Sequence, residues 1–362
     1  MRTINFGIVT YGKVARLQAK SMAGLGGVKL VAVQGRDAGK REAFARDFGL
    51  VPCESIADMA KAGVEAVIVS SPHPLHREQA IEALDAGMHV LVEKPMALTT
   101  EDCDAMMEAA LRGGRSLGVI SQRRWFPAVR RVKEAVAAGK LGDTILADVV
   151  MFGWRDEAYY RSDPWRGSWS GEGGGVLVNQ APHQLDILLW IMGPVAEVKA
   201  YWANLNHPYI EVEDTAVAVL RFQSGALGSV LVSNSQKPGI YAKVHVHGRN
   251  GATAGVQTDG GAMFVAGMSS IVEPAKNELW TIPGEEGFPA RWEAEDAAFF
   301  KDLADKGVDA TEWYHARQIE DFAAALREGR EPSVTAAEGR AAVALFEAIY
   351  ESGRKGRAVR PR

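Results

Sequence analysis

The sequence predicts an α/β domain followed by an α+β domain, and three observations carry this. Short apolar runs alternate strictly with helical segments over the first third of the chain. After about residue 121 the runs lengthen and begin to alternate apolar with polar residues. No internal repeat and no low-complexity linker separates the two regimes. Fully apolar runs joined by helices suit a parallel sheet covered on both faces. Period-two alternation suits antiparallel strands with one wetter face. The expectation is a doubly wound parallel sheet over residues 1–122, then over residues 123–362 an α+β domain built on a large, mainly antiparallel open sheet.

The elements follow in order. Strands are expected at 3–9, 28–34, 66–69, 89–92 and 117–120, with helices at 14–23, 40–48, 76–86 and 100–111 between them. Gly87 stops the third of these helices. The second domain opens with a helix at 127–139 and continues with strands at 145–152, 195–202, 215–222, 226–233 and 241–247. Ser224-Gly225 and Asn250-Gly251 signal turns, and helices at 313–327 and 336–351 close the chain.

Composition excludes several classes of function. The 362 residues are 47% apolar, enough to fill two cores. Lys and Arg number 41 against 45 Asp and Glu, so no basic field recommends nucleic acid as a partner. Lys355, Arg357, Arg360 and Arg362 read as a solvated basic tail. Cys53 and Cys103 are too few for a disulfide framework and lack metal-ligand spacing. No stretch reaches the ~18 apolar residues of a membrane span. The N-terminus runs into strand-like sequence with no signal peptide, so a cytoplasmic protein is expected.

The first strand leads into Gly7-Ile8-Val9-Thr10-Tyr11-Gly12-Lys13-Val14-Ala15. A dinucleotide-binding Rossmann fold needs a tight turn here, so that N–H groups at a helix N-terminus meet a pyrophosphate. Set against G-x-G-x-x-A, the segment offers Thr10, Gly12 and Ala15. Gly12 admits the phosphate and Ala15 suits helix–sheet packing, but Thr10 must make the turn with a Cβ. Alone, this motif reads equally as a plain strand-turn-helix. The second strand ends in Gln34-Gly35-Arg36-Asp37. An NAD site usually places a carboxylate at that tip; a small residue and a guanidinium suit the 2′-phosphate of NADP. The rival reading is a surface Arg36–Asp37 pair. The third strand leads into Ser70-Ser71-Pro72-His73-Pro74-Leu75-His76, and the fourth ends in Val92-Glu93-Lys94-Pro95. A charged Glu-Lys pair is costly beside an apolar strand unless it is used.

With these motifs in place, the chain resembles the glucose-fructose oxidoreductase/inositol dehydrogenase/rhizopine catabolism (Gfo/Idh/MocA) family over nearly its whole length. The matching pieces are Ser71-Pro72-His73-Pro74-Leu75-His76, Glu93-Lys94-Pro95 and Gln122-Arg123-Arg124-Trp125-Phe126-Pro127. Trp165-Arg166-Gly167, Gly173-Gly174-Gly175 running on to His183 and Asp186, Glu338-Gly339-Arg340 and Ala348-Ile349-Tyr350-Glu351-Ser352 complete the set. The resemblance implies a nicotinamide cofactor, a sugar, polyol or related hydroxylated ring as substrate, and a cis Lys94–Pro95 bond. It also implies a Lys94 that contacts the reacting hydroxyl and an acid/base His183. Together with the motifs it assigns the cofactor to Thr10, Tyr11, Gly12, Lys13, Val14, Gly35, Arg36, Ser70, Ser71, Pro72, His73, His76, Glu93, Lys94, Gln122, Trp165 and Arg166. It assigns the substrate to Lys94, Arg124, Tyr160, Trp165, Asn179, His183 and His315. The family's usual Asp-x-x-x-His reads Asn179-Gln180-Ala181-Pro182-His183 here, so an amide stands where a carboxylate is usual.

Oxidising a secondary alcohol moves a hydride and a proton, and a histidine titrates near working pH. Asn179, His183 and Asp186 are four and three residues apart, one face of a regular helix. Pro182 disfavours helix at Ala181, so the helix is expected to start near Pro182 and leave Asn179 in the preceding turn. Asp186 is expected to orient the imidazole; the plainer reading is a structural helix pair. Lys94 either stabilises developing alkoxide or, with a lowered pKa, shares the proton transfer. The aromatic and hydroxyl-rich segment 159–169 suits a sugar-sized ligand or, alternatively, a buried cluster. His245 and His247 share a strand face without a third ligand, so no metal is expected.

The sequence thus reads as an NAD(P)-dependent oxidoreductase, NADP ahead of NAD, acting on a CH–OH group of a sugar, glycoside or cyclic polyol. The alternatives are a dihydrodiol or imine-type oxidoreductase of the same fold, and a non-catalytic nicotinamide-nucleotide-binding regulatory protein. An open sheet face with few later helices to cover it predicts a homodimer or homotetramer. No nucleic-acid or membrane partner is expected.

Overall fold

The short apolar runs of the first third pair in parallel, as their composition requires. β1 (Ile4–Val9), β2 (Val28–Gln34), β3 (Val51–Cys53), β4 (Ala66–Val69), β5 (His89–Val92) and β6 (Leu117–Val119) form one sheet in the order β3-β2-β1-β4-β5-β6. Every neighbouring pair is parallel. The crossovers carry α1 (Lys13–Met22), α2 (Ala38–Phe48), α3 (Ile56–Lys61), α4 (His76–Asp85) and α5 (Thr100–Gly113). The strand order reverses between β1 and β4, the switch point at which such sheets open a crevice at their carboxyl ends. Helix ends follow local chemistry. Asp37, Ser55 and Thr99 cap α2, α3 and α5 by accepting a backbone N–H, and Gly49 and Gly114 end α2 and α5 in the left-handed conformation. The sequence reading misses β3 and α3. β3 has only three residues, two of them exposed, so it shows no apolar run.

This structure is a computed structural model and describes residues 2–260 and 273–362. The second sheet draws on α6 (Pro127–Ala137), β7 (Thr144–Phe152), α7 (Glu157–Arg161), α8 (Val176–Asn179), α9 (Pro182–Met192) and β8 (Val195–Ala203). It continues through β9 (Thr215–Phe222), β10 (Leu227–Ser233), β11 (Tyr241–Gly248), β12 (Thr253–Gly260) and α10 (Phe288–Asp305). The strand order is β12-β11-β7-β10-β9-β8, antiparallel throughout except for β7 beside β10. Alternation sorts the faces. Ala216, Ala218, Leu220 and Phe222 of β9 are buried, while Val217 and Val219 are exposed. α6 and α9 pack on this sheet. The sequence reading misses β12, whose run is broken by Gly255 and ends at Gly260, and α10, which buries only Asp296 and Leu303.

Contacts divide the chain into residues 1–122 with 312–343, and residues 123–311 with 344–362. The expected boundary at 122/123 lies where contacts change, but assigning all of 123–362 to the second domain needs correction. α11 (Ala310–Glu328) explains why. Its Ile319, Phe322 and Ala323 lie in the same core as Ile4, Phe6 and Ile8 of β1. Gln318 also ties it to the sheet's edge, accepting from Ser121 N at 2.8 Å and donating to Val119 O at 2.7 Å. Further on, α12 (Ala336–Lys355) sets Gly339 so close to Val119 that a Cβ would meet that side chain at 2.4 Å. A helical pattern reveals an apolar face but not which sheet it covers. Among the described residues, no helix is long and apolar enough to cross a membrane.

Candidate active site

Thr10 makes the turn after β1 with φ at 92°, the one positive φ at a non-glycine position among the described residues. Its N–H donates to Gln34 O at 2.7 Å, locking the turn to the tip of β2. Gly12 is the N-cap of α1 and supplies no side-chain cap; a Cβ there would meet nothing within 4 Å. No side chain caps the first amides of α1, an arrangement that suits anion binding. Ala15 is fully buried against the sheet, and Lys13 is exposed beside Val14. At the β2 tip, the Tyr11 ring lies against Gly35, where a Cβ would come within 2.3 Å of it. Tyr11 Oη accepts from Asp37 N at 3.1 Å, and Asp37 caps α2 by accepting from Lys40 N at 2.9 Å. Arg36 is left exposed with no ion pair among the described residues, so the rival Arg36–Asp37 pair does not form. Arg41 is buried, donates to Gly35 O at 3.0 Å, and its Nε has no partner among the described residues.

The tips of β4 and β5 are joined by a buried polar chain. Ser70 Oγ donates to Gln18 Oε1, and Gln18 Nε2 donates to Glu93 Oε1 at 2.7 Å. Glu93 Oε2 accepts from Lys94 N at 3.2 Å, and His315 Nε2 lies 4.0 Å from Glu93 Oε1. Burial pushes Glu93 up to about 7, against the opposing Lys94 charge and these N–H donors. Ser71 Oγ donates to Gln79 at 2.5 Å; Pro72 opens the single turn that carries buried His73. His76 needs correction as a cofactor contact. It is fully buried, with Nδ1 2.9 Å from Pro95 O and Nε2 2.8 Å from Ser71 O, so both ring nitrogens face carbonyl oxygens of the loops that carry Ser71 and Lys94 and neither is open to a ligand. The Lys94–Pro95 bond is cis. Gln122, where the first unit gives way to the second along the chain, is buried with its Oε1 unpartnered among the described residues.

Within the second unit, polar residues gather around the turn before α9. α9 begins at Pro182 and Asn179 ends the separate α8, as the proline dictates. Asn179 Nδ2 donates to Glu172 Oε1 and to Tyr159 Oη, the latter at 3.1 Å. Tyr159 Oη also accepts from Arg166 and from Gln180 Nε2, the latter at 3.1 Å. The Arg166 guanidinium lies 4.3 Å from the Tyr159 ring centre and 4.6 Å from that of Trp165. Tyr160 is buried and pushed up by burial; its hydroxyl accepts from Asn234 at 3.3 Å. His183 is buried near the start of α9. Two expectations are corrected here. Asp186 holds Arg124 through both oxygens, at 2.8 Å to Nε and 2.6 Å to Nη2. Arg124, buried and lying 5.1 Å from the Trp190 ring centre, is thus an internal strut rather than a substrate ligand, and Asp186 serves it.

Comparison with known proteins settles the family. Residues 4–121 match the model described as an oxidoreductase family, NAD-binding Rossmann fold, and residues 129–254 match the GFO/IDH/MocA C-terminal domain. The chain belongs to the Gfo/Idh/MocA oxidoreductase family. A 1,5-anhydro-D-fructose reductase of Ensifer adhaerens is 30% identical over 69% of this chain and 75% of its own length. A 1-carboxy-3-chloro-3,4-dihydroxycyclohexa-1,5-diene dehydrogenase of Comamonas testosteroni is 32% identical over 64% of the chain, which spans 58% of that relative's length. The WlbA dehydrogenase of Bordetella pertussis, solved with NADH and UDP-GlcNAcA, is 31% identical with a TM-score of 0.85, over 99% of this chain and 98% of that one.

Within this Gfo/Idh/MocA protein several polar residues escaped the sequence reading. Gln18 interrupts the buried stripe Ala15, Ala19, Met22 of α1, and a polar residue on an apolar face is the signal that was there to find. Glu172 stands between two glycines and is buried. Glu213 is buried as well, accepting from Gly175 N at 2.9 Å, Leu177 N at 3.0 Å and Tyr350 Oη at 2.9 Å; burial pushes it up to about 7 against these donors. It holds the triple-glycine turn, and no local pattern marks it. His245 belongs to an ionic cluster, 3.2 Å from Asp148 and 2.9 Å from Glu278, with His247 3.4 Å from Asp148. Among the described residues, no three His, Cys, Asp or Glu side chains are placed to hold a metal ion.

Proposed function

We propose that this oxidoreductase moves a hydride between NADP and a secondary alcohol or ketone of a sugar, glycoside or cyclic polyol. The observation that carries the reading is the uncapped start of α1 at Gly12 beside a β2 tip of Gly35, Arg36 and Arg41, where the Asp37 carboxylate is engaged in capping α2. The α1 amides suit a pyrophosphate, and the two guanidiniums suit a 2′-phosphate in preference to ribose hydroxyls. The buried Oε1 of Gln122 suits the carboxamide N–H of a nicotinamide. The cofactor, when bound, supplies or accepts the hydride. The chain handles the proton: His183 takes it from the hydroxyl during oxidation and returns it during reduction. Lys94 holds that oxygen and stabilises its developing negative charge. Glu93, kept in a buried chain with Gln18 and Ser70, sets the loop from which Lys94 projects. Tyr160, Trp165, Arg166 and His315 complete the proposed ligand contacts.

Retained proton-handling groups favour an enzyme over a regulatory binding protein. A second substrate reading, a cyclic vicinal diol, is favoured by the dihydroxycyclohexadiene dehydrogenase among the relatives. The WlbA dehydrogenase, with its sugar nucleotide, supports the sugar-ring reading. The test is steady-state turnover with NADP and NAD on UDP-GlcNAcA, inositols, aldoses and a cyclic cis-diol. His183→Ala should lower turnover about 10²–10⁴-fold and leave cofactor affinity nearly unchanged. Near-normal turnover in that variant overturns the site. The reading includes a cytoplasmic homodimer or homotetramer formed through the open sheet face, where Leu146, Tyr201, Val217, Val219 and Leu227 are exposed. Light scattering that gives the mass of one chain at micromolar concentration refutes it.

A further inference from the structure

Asn179 has both hydrogens of its side-chain nitrogen engaged inside the protein, one on Glu172 Oε1 and one on Tyr159 Oη. The Glu172 carboxyl is itself held in that role. Glu172 is 1% exposed, and its other oxygen accepts from Gly167 N at 2.6 Å. The carboxyl thus meets the Asn179 amide as an acceptor. Tyr159 Oη draws three N–H groups, from Asn179, Arg166 and Gln180, onto two lone pairs, so Glu172 is the partner that sets the orientation of the amide. Turning the Asn179 amide over would set its carbonyl oxygen against a buried carboxylate, an arrangement with two acceptors and no hydrogen. The amide therefore has one orientation, and toward any ligand its polar group can only accept.

We propose that Glu172 is a positioning residue that fixes the Asn179 amide, so that Asn179 Oδ1 serves as the acceptor for a substrate hydroxyl. The inference rests on the reading that the Asn179–His183 turn meets substrate. It makes the site selective for a ligand that donates at this point, a hydroxyl or an N–H, over one that presents an ether or carbonyl oxygen there. The charged and titratable groups around the pair are Arg155, Arg166, Tyr159, Tyr160, Tyr350 and Glu213.

The test is a swap of the two groups. Glu172→Gln brings an N–H donor to Asn179, which turns over and offers N–H to the substrate. kcat/KM for the best substrate of the panel should fall about 10–100-fold while the cofactor KM stays within about twofold. Asn179→Asp sets two carboxylates together, and like charges this close cannot both ionise. A new ionisation should appear between about pH 5 and 8, both in the activity profile and in the pH dependence of the thermal midpoint. In the double variant E172Q/N179D the new amide donates to the new carboxylate, whose remaining oxygen again accepts. kcat/KM should recover to within about threefold of native, and the new ionisation should vanish. Additive losses in the double variant, or native pH dependence in Asn179→Asp, overturn the inference. The thermal midpoints need no substrate, so they decide the pairing even in an inactive variant. His183→Ala assayed alongside separates the two failures: normal turnover there overturns the reading of the site, whereas its loss together with additive losses in the swap overturns the role of Glu172 alone.

Discussion

Glu93→Gln tests the buried carboxyl at the tip of β5. Burial raises Glu93 from 4.5 to about 7, against the Lys94 charge and the N–H groups of Lys94 and Gln18. A carboxyl raised in the folded state stabilises the fold below its unfolded pKa, and that contribution is lost as pH rises through the folded value. The window is therefore about pH 4.5 to 7. At about 1.4 kcal/mol for each pH unit between the two values, the loss across it is about 3 kcal/mol. Glutamine does not titrate, so the variant lacks this slope. Urea unfolding of the cofactor-free protein at pH 5 and pH 8 gives a stability difference, variant minus native, at each pH. That difference should be about 2–3 kcal/mol more favourable to the variant at pH 8 than at pH 5. Any fixed cost of the lost carboxylate bonds to Gln18 and Lys94 cancels in the comparison. The same difference at both pH values, within about 0.5 kcal/mol, refutes the argument, because it would mean that Glu93 is ionised in the folded protein throughout the window.

Three other outcomes are expected. Thr10→Gly should stabilise the protein by up to about 1 kcal/mol in urea titrations, because relief of a positive φ worth about 1–2 kcal/mol outweighs the added freedom of glycine in the unfolded chain; a loss of stability would mean the side chain contributes more than the strain costs. Arg36→Ala and Arg41→Ala should each raise KM for NADP about tenfold or more and change KM for NAD little, on the scale of a charge-assisted hydrogen bond; equal effects on both cofactors sink the assignment to the 2′-phosphate. Burial opposes the charge on His245, but its hydrogen bonds to Asp148 and Glu278 outweigh that and push it up to about 9. Its stabilising contribution is thus full below about pH 6.5 and lost as pH rises through about 9; His245→Gln should cost about 1 kcal/mol at pH 6, after allowing for screening by water, and nothing at pH 10. A cost that does not change with pH refutes the ion-pair account.

The legible part of the site was the part that depends on neighbours in sequence. Gly12 starts α1 and Ala15 is buried within it, as their places in the motif require, and Thr10, standing where the motif has its first glycine, does adopt the positive φ that the turn demands. Pro182 set the start of α9 for a reason internal to the dipeptide. The errors fall where two groups compete for the same partner. Asp186 is three residues from His183 and was assigned to it, yet its oxygens hold Arg124, 62 positions earlier. A bidentate guanidinium is the stronger claim on a buried carboxylate. His76 carries a motif but sits deep enough for carbonyls to face both nitrogens.

By itself, the sequence determined the βα alternation of the first sheet, the switch to alternating strands in the second, and the family, because strand, helix and turn preferences act over a few residues. Tertiary structure alone decided that 312–343 leave the second domain for the first, that Gln18 reaches Glu93 across 75 positions, and that the Glu172 carboxyl lies against the Asn179 amide. The physical reason is the same in each case. Burial removes water as a partner, so every polar group must find another. Which one it finds depends on how distant segments pack, information that no local pattern holds.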